Sequence, residues 1–452
     1  MRWISLPAAL LCLAPSPLLA AGNADLPLQQ DAWRQAAVPW QAPRSAVDWW
    51  QAFGSRTLPA LQAQARAANP DLLSAQAVIA RARATLAETA AGGSVQLGAS
   101  ASSQRSRGST RSTSSQLGPT LSYSVDWWGQ RAAQDSAAQA RVVASEASRD
   151  ATALTLDSEV ARQYFSLLAL QQQQQLASRQ LAAMQQRSAL LRQQVALGSK
   201  APYELAALQQ DIASQTASVA TLSLSLQQAF TALAVLCGVA PQDFRLAGEA
   251  LTVLQQPYPA AQQPSALLLQ RPDIRAADAT LQAAQADIAA ARAALYPSFT
   301  LSWEGVLSKV AGGPSQWVTT AAAALAGTLY DGGKLRAGVR YSEAQWQVQL
   351  QAWRSTVLAA IADADNAMQA IAAYRQAMMA LEAQLRAAEQ QERAAAARYQ
   401  LGAIDKATLL AQQESMLAVR QSWCEMRGKL LSASASLYEA LGGAPLTQSA
   451  GG

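Results

Sequence analysis

The sequence predicts a mainly α protein with a membrane β-barrel portion, built as a tandem repeat. Three observations predict this fold class. Two very long stretches, Gln130–Leu197 and Val339–Leu401, contain neither Gly nor Pro; four shorter segments alternate polar and apolar residues; and the landmarks of the first half recur in order in the second. Composition agrees: of 452 residues only 14% are charged and 6% aromatic, with Ala, Gln, Leu and Ser abundant, which suits long closely packed helices better than a thick globular core.

The repeat is anchored at four places. Pro70-Asp71 returns as Pro272-Asp273, "YSVDWWGQR" through Asp126 returns as "GTLYDGGKLR" through Asp331, "VALGSKAPYELAALQQ" through Gly198 returns as "YQLGAIDKATLLAQQ" through Gly402, and "AVLCGVAP" through Gly238 returns as "EALGGAP" through Gly442. The offsets stay between 202 and 205 residues, so the chain is a duplication of one unit.

Taken in chain order, residues 1–21 read as a secretory signal peptide, with Arg2, an apolar run from Trp3 to Ala14, and cleavage after Ala20 or Ala21. Cys12 is preceded by Leu11 where a lipoprotein site needs a small residue, so no lipidation is expected there. An N-terminal extended segment (22–56) follows, then repeat 1 (57–245), a linker (246–263), repeat 2 (264–445) and a tail (446–452). After the leader no run of 18 or more apolar residues appears, so no membrane helix is expected there.

Each repeat opens with a helix at its Pro-Asp start and passes through two alternating segments. In the first, Val95 and Leu97, then Leu117, Leu121 and Tyr123, share one face; in the second, Phe299, Leu301 and Trp303 do. A fourth segment, near Ala321 to Leu329, alternates weakly. Each has about the 9–11 residues of a tilted membrane strand, and Trp127, Trp128, Tyr296 and Tyr330 gather at the strand ends as an interfacial girdle would. From alternation alone, two surface hairpins of a soluble α+β protein remain an alternative. Four strands are too few to close a membrane barrel, and open edges do not survive in lipid, so a spanning sheet requires several chains.

The Gly- and Pro-free stretch that follows would be roughly 100 Å long as continuous helix, at about 1.5 Å per residue. It ends at a Leu-Gly dipeptide and is followed by a second helical stretch, which makes a long hairpin in each repeat. Asp126 and Asp331 precede these helices and read as N-caps. Cys237 and Cys424 fall about 17 residues apart in repeat register, beyond disulfide reach, so no intrachain bridge is expected.

These landmarks, with "DWWQAFGSRTLPAL" from Asp48 and "LYDGGK" before the second long helix, resemble the TolC-like outer-membrane efflux proteins, in the OprM/NodT-like branch that serves resistance-nodulation-division pumps. The resemblance covers essentially the whole chain after the leader. It implies a homotrimer whose chains each lend four strands to a twelve-stranded β-barrel set in outer-membrane lipid. Long periplasmic hairpins would form an α-barrel below it. The resemblance also implies a docking tip that meets a membrane-fusion protein, here Leu197, Gly198 and Ser199 with Leu401, Gly402 and Ala403, and an inner-membrane transporter as energy source. Where the branch often reads Leu-Thr-Leu-Leu-Asp-Ala-Gln beyond the second tip, this chain has Thr408, Leu409, Leu410 and Ala411, with Ala411 in the acidic position. Either Leu409 or Leu410 forms an apolar constriction, or both simply pack the hairpin.

The function expected is passive conduction, the exit duct of a tripartite efflux pump. Alternatives are the exit duct of a type I protein secretion system and a soluble periplasmic adaptor or scaffold. The chain has no His, no Walker motif and no dinucleotide fingerprint, so neither an enzyme, a cofactor nor a metal site is expected. A net charge of +5, dispersed, gives no nucleic-acid surface.

Overall fold

The computed structural model describes residues 49–107, 111–257, 271–310 and 313–443. The expected signal peptide with Cys12, most of the 22–56 segment, the end of the 246–263 linker and the 446–452 tail lie outside the described residues.

The described chain runs α1 (Leu58–Ala68), α2 (Pro70–Ala91), β1 (Gln96–Arg107), β2 (Arg111–Val125), α3 (Gln130–Ala196), α4 (Pro202–Leu236), α5 (Pro272–Ala293), β3 (Ser298–Val310), β4 (Ser315–Ala326), α6 (Lys334–Gln400) and α7 (Lys406–Ala440). Equivalent helices of the two repeats match in length: α3 and α6 have 67 residues each, α4 and α7 have 35, α2 and α5 have 22. The duplication therefore extends to the length of every hairpin arm.

The short helices stack end to end. Asn69 caps α2, accepting from the amides of Asp71 and Leu72, and its Nδ2 donates to the carbonyl of Leu236 at the end of α4, 3.0 Å away. At the equivalent place Arg271 donates from Nη1 to the carbonyl of Ala440 at the end of α7, at 2.7 Å, while its other nitrogens hold Asp273. Each Pro-Asp start thus begins a helix where another has just ended, so α4 runs into α2 and α7 into α5. The orphan carbonyls of one helix are satisfied by the side chain that opens the next.

Lateral packing follows from this stacking. The α4/α2 stack lies against α3, α3 against the α7/α5 stack, and that stack against α6. The sheet repeats the order, β1-β2-β3-β4, all antiparallel. One side of the chain therefore ends in α4, α2 and β1, and the other in α6 and β4.

Large apolar side chains concentrate where loops cross α3 and α7. Trp50, Phe53, Phe244, Leu251 and Leu254 pack on Tyr164, Phe165, Leu431 and Tyr438, with the Phe53 and Phe165 rings 4.8 Å apart. Glu249 ties this patch down by accepting from Tyr164 Oη at 2.5 Å, Ser55 Oγ at 2.6 Å and the Arg56 amide at 3.2 Å. Burial, reinforced by Glu249, pushes the Tyr164 phenol up to about 12. Cys237 and Cys424 are buried free thiols in the same cluster.

Two sequence expectations need correction. Val95 lies one residue before β1, so it is not a strand residue. The residues at the helix starts are Gly129 and Gly333, not Asp126 and Asp331. Both aspartates nevertheless accept from first-turn amides, Asp126 from Ala132 at 2.9 Å and Asp331 from Leu335 at 2.8 Å. The intervening residues turn the chain from strand to helix and displace the cap by two or three positions.

Candidate functional site

The expected site residues fall in two regions: the far ends of the hairpins and the sheet. At the first hairpin end, the Gly198 amide donates to the carbonyl of Val195 and the Ser199 amide to that of Gln194. At the second, Gly402 donates to Tyr399 and Ala403 to Arg398 in the same pattern. Both are Schellman closures with glycine in the left-handed region, at φ of 69° and 73°. An added Cβ at either glycine would meet nothing within 4 Å, so only backbone conformation requires glycine there. The closures thrust a leucine outward: Leu197 is 83% and Leu401 84% exposed, and Ser199 and Ala403 are exposed beside them.

The two ends are joined within the chain. Gln194 Nε2 donates to Asp405 Oδ2 at 3.1 Å, and Asp405 also caps α7 by accepting from the Thr408 amide at 2.9 Å and the Thr408 hydroxyl at 2.5 Å. The Thr408 hydroxyl, then the Thr408 amide and Gln194, hold the Asp405 carboxyl below its ordinary value. Further along, Arg187 on α3 makes a two-pronged pair with Glu414 on α7, Nε to Oε1 at 2.9 Å and Nη2 to Oε2 at 2.7 Å. The Glu414 side chain is only 8% exposed, and burial holds its carboxyl above the ordinary range despite Arg187.

The structure separates the residues of the expected constriction. Leu410 is buried within the chain, in agreement with a packing role, whereas Leu409 and Ala411 are half-buried and Thr408 is exposed and engaged with Asp405. Of the two leucines, only Leu409 retains surface that could line an aperture.

In the sheet, odd-numbered residues of all four strands share one face. Its rows read Leu97–Leu121–Trp303–Ala321, Tyr123–Leu301–Ala323, Val125–Phe299–Leu325, and Ala101–Leu117–Leu307–Trp317. The opposite face carries Gln96, Ser100, Ser102, Gln116, Thr120, Ser122, Thr300, Ser302, Glu304 and Thr320. Gly305 lies on the apolar face, and a Cβ there would come within 2.9 Å of the Trp317 ring and 3.2 Å of the Trp303 ring. Its lack of a side chain is what lets two indoles cover that face.

Among the described residues no helix packs broadly on either face, and β1 and β4 are exposed at every position. A bare sheet with one greasy face and two open edges would be an aggregation hazard in water. From the Leu117 row to the Val125 row the apolar band runs about 27 Å along the strand, at about 3.4 Å per residue. That is commensurate with a bilayer core.

Of the expected girdle, two members meet each other and a third lies against a strand ring. Trp128 stacks on Tyr296 with centroids 4.6 Å apart and donates to the Pro297 carbonyl at 2.7 Å, while Trp127 meets Phe299 edge-on at 5.8 Å. Tyr330 stands apart beyond β4, 91% exposed. Sequence reading missed Leu307, Trp317 and Leu325, which complete the apolar face. Alanines at 321 to 324 lie on both faces of β4 and hide its alternation. It also missed Gln194–Asp405 and Arg187–Glu414, whose partners are more than 200 residues apart and leave no local signal.

A bare membrane-length sheet continuous with 67-residue helices, ending in exposed paired turns, defines a subunit of an outer-membrane conduit. The outer membrane efflux protein family matches residues 61–239 and 263–443, and the chain belongs to that family. It is 31% identical to the pyoverdine export outer membrane protein OpmQ of Pseudomonas aeruginosa, across 98% of this chain and 97% of that one. It is 26% identical to the toluene efflux pump outer membrane protein TtgC of Pseudomonas putida, across 96% and 95%. Among solved structures it resembles the outer-membrane channel OprN, with a TM-score of 0.80 at 25% identity over 90% of this chain and 94% of that one. It also resembles the open state of the MtrE channel of Neisseria gonorrhoeae, with a TM-score of 0.77 at 28% identity over 91% and 94%. The protein is an outer-membrane efflux channel component, the exit duct of a tripartite pump.

Proposed function

We propose that three copies of this chain close into one conduit, in which the β1, α2 and α4 edge of each copy packs on the β4 and α6 edge of the next. One observation carries this reading: the sheet and the helical layer leave the same two sides of the chain open. Closure pairs the two sheet edges into a twelve-stranded barrel and leaves no edge in lipid. It also covers α4, which is apolar enough to resemble a membrane helix yet only 17% buried over its most apolar window. The odd-numbered face then meets outer-membrane lipid and the hydroxyl-rich face lines the pore.

Conduction is passive, and small molecules enter at the hairpin ends. Leu197, Gly198, Ser199, Leu401, Gly402 and Ala403 form the docking tip for a periplasmic membrane-fusion protein, which links the duct to an inner-membrane transporter of the resistance-nodulation-division type. Their exposure supports this role. With Ala411 where the branch often has Asp, the closed aperture is narrowed by apolar surface at Leu409. Docking opens it by binding the open arrangement more tightly than the closed one.

The test is photo-crosslinking from a reactive residue at position 403 in living cells, with captured proteins identified by mass spectrometry. Capture of a membrane-fusion protein of a resistance-nodulation-division pump is expected. Capture of an adaptor from an ABC secretion system would change the cargo to protein, and no periplasmic partner would remove the docking role.

A further inference from the structure

Charge is sorted between the two faces of the sheet. Arg105, Arg107 and Lys309 all lie on the apolar face, and Glu304, the sheet's single carboxylate, lies on the other. Lys309 stands opposite Ser115 and Ser315, one row outward from Leu117, Leu307 and Trp317. Arg105 stands two rows outward, opposite Thr113, and its Nε donates to the Thr113 hydroxyl at 3.4 Å, which fixes it on this face. Arg107 follows in the next row, and all three cations are exposed.

At the same heights on the opposite face stand Ser102, Gln104, Ser106, Ser114, Gln116 and Ser308, all neutral. A rim needing charge only for solubility would show no such sorting, because water reaches both faces there. With rows spaced about 7 Å apart along the strand, Lys309 and Arg105 fall in the zone just outside the hydrocarbon, where head groups lie. Trp317, immediately inward, marks the boundary in the way interfacial tryptophans do.

We propose that this collar binds the phosphates of lipid head groups in the external leaflet, with cations at successive depths matching a lipid that carries more than one phosphate. The inference rests on the reading that the apolar face meets lipid. Arg105 and Arg107 supply planar guanidinium forks for phosphate oxygens and Lys309 a point charge nearer the hydrocarbon, which its long stem allows it to reach by lying along the strand. Collars from three chains would ring the barrel with bound lipid and hold its outer end at a fixed height.

The experiment is native mass spectrometry of the full chain in detergent, titrated with bisphosphorylated lipid A, its dephosphorylated form and phosphatidylcholine. The proteins compared are wild type, the triple variant Arg105→Gln/Arg107→Gln/Lys309→Gln, and Glu304→Gln as an opposite-face control. Assembly is read first, by heat-modifiable mobility on gels; a wild type that forms no heat-modifiable barrel would sink the membrane reading itself. Given assembly, wild type and Glu304→Gln should retain lipid A alike. The triple variant should bind it about a hundredfold more weakly, from a factor of about five per cation near an anionic surface. Equal retention of lipid A by wild type and triple variant, equal retention of dephosphorylated lipid A and lipid A, or no lipid on wild type would each overturn the proposal.

Discussion

Leu121 and Thr120 are neighbours in β2, yet the sheet assigns them opposite environments. Leu121 occupies the middle row of the apolar band, two rows from Leu117 and two from Val125, beside Leu97 and Trp303. Thr120 pairs with Gly98 and Glu304 on the hydroxyl-rich face at the same height. Placing arginine at each position compares lipid with pore while holding depth and strand constant. At the centre of a membrane barrel an outward arginine costs about 2–4 kcal/mol per chain. That corresponds to roughly a 30- to 1,000-fold loss of the inserted state per chain, and three chains multiply the penalty. On the pore side the side chain stays hydrated beside Glu304, and the expected cost is within about 0.5 kcal/mol. The assay is folding into vesicles, read as the heat-modifiable fraction across a urea series. Leu121→Arg should fail to insert or shift its midpoint strongly downward, while Thr120→Arg should track wild type. Equal losses, or a larger loss for Thr120→Arg, would show that the odd-numbered face does not meet lipid.

Gly402→Ala should strain the left-handed closure by about 1–2 kcal/mol without touching any neighbour, so barrel assembly stays normal while export falls; unchanged export in cells relying on the variant would count against the tip. Arg187→Met leaves Glu414 buried without its partner, a loss of about 3–5 kcal/mol that Glu414 can lessen by taking up a proton. Amide exchange in residues 184–194 and 408–418 should quicken, and pairing the change with Glu414→Leu should restore protection; no acceleration would show that the pair does not hold the hairpins together. Asp405→Ala should cost about 1 kcal/mol of capping and free Gln194. Because the Asp405 carboxyl lies below its unfolded value of 3.8, its contribution is full above about pH 4 and is lost as pH falls through the lower folded value. Exchange at the Thr408 amide should therefore separate wild type from the variant at pH 7, and the gap should narrow as pH falls below about 4.

Whatever depends on local period and punctuation was legible in the amino-acid order alone. Runs without Gly or Pro gave helices that the structure draws from Gln130 to Ala196 and from Lys334 to Gln400, ending at the Leu-Gly pairs as read. Alternation placed Leu97, Leu117, Leu121, Tyr123, Phe299, Leu301 and Trp303 on one face, because side-chain direction in a strand has period two whatever the partner. The repeat offset predicted that Pro70 and Pro272 open equivalent helices. What these elements meet depends on long-range packing. Pairing of β2 with β3 joins the two repeats into one sheet and sets its register, which no local signal specifies. The burial of Leu410 and the freedom of Leu409 depend on how the hairpins lean together, and Gln194 finds Asp405 across more than 200 residues. Contacts of that range are set by packing of whole helices. Local sequence fixes which face of each element is greasy, and the assembled chain decides whether that face finds helix or lipid.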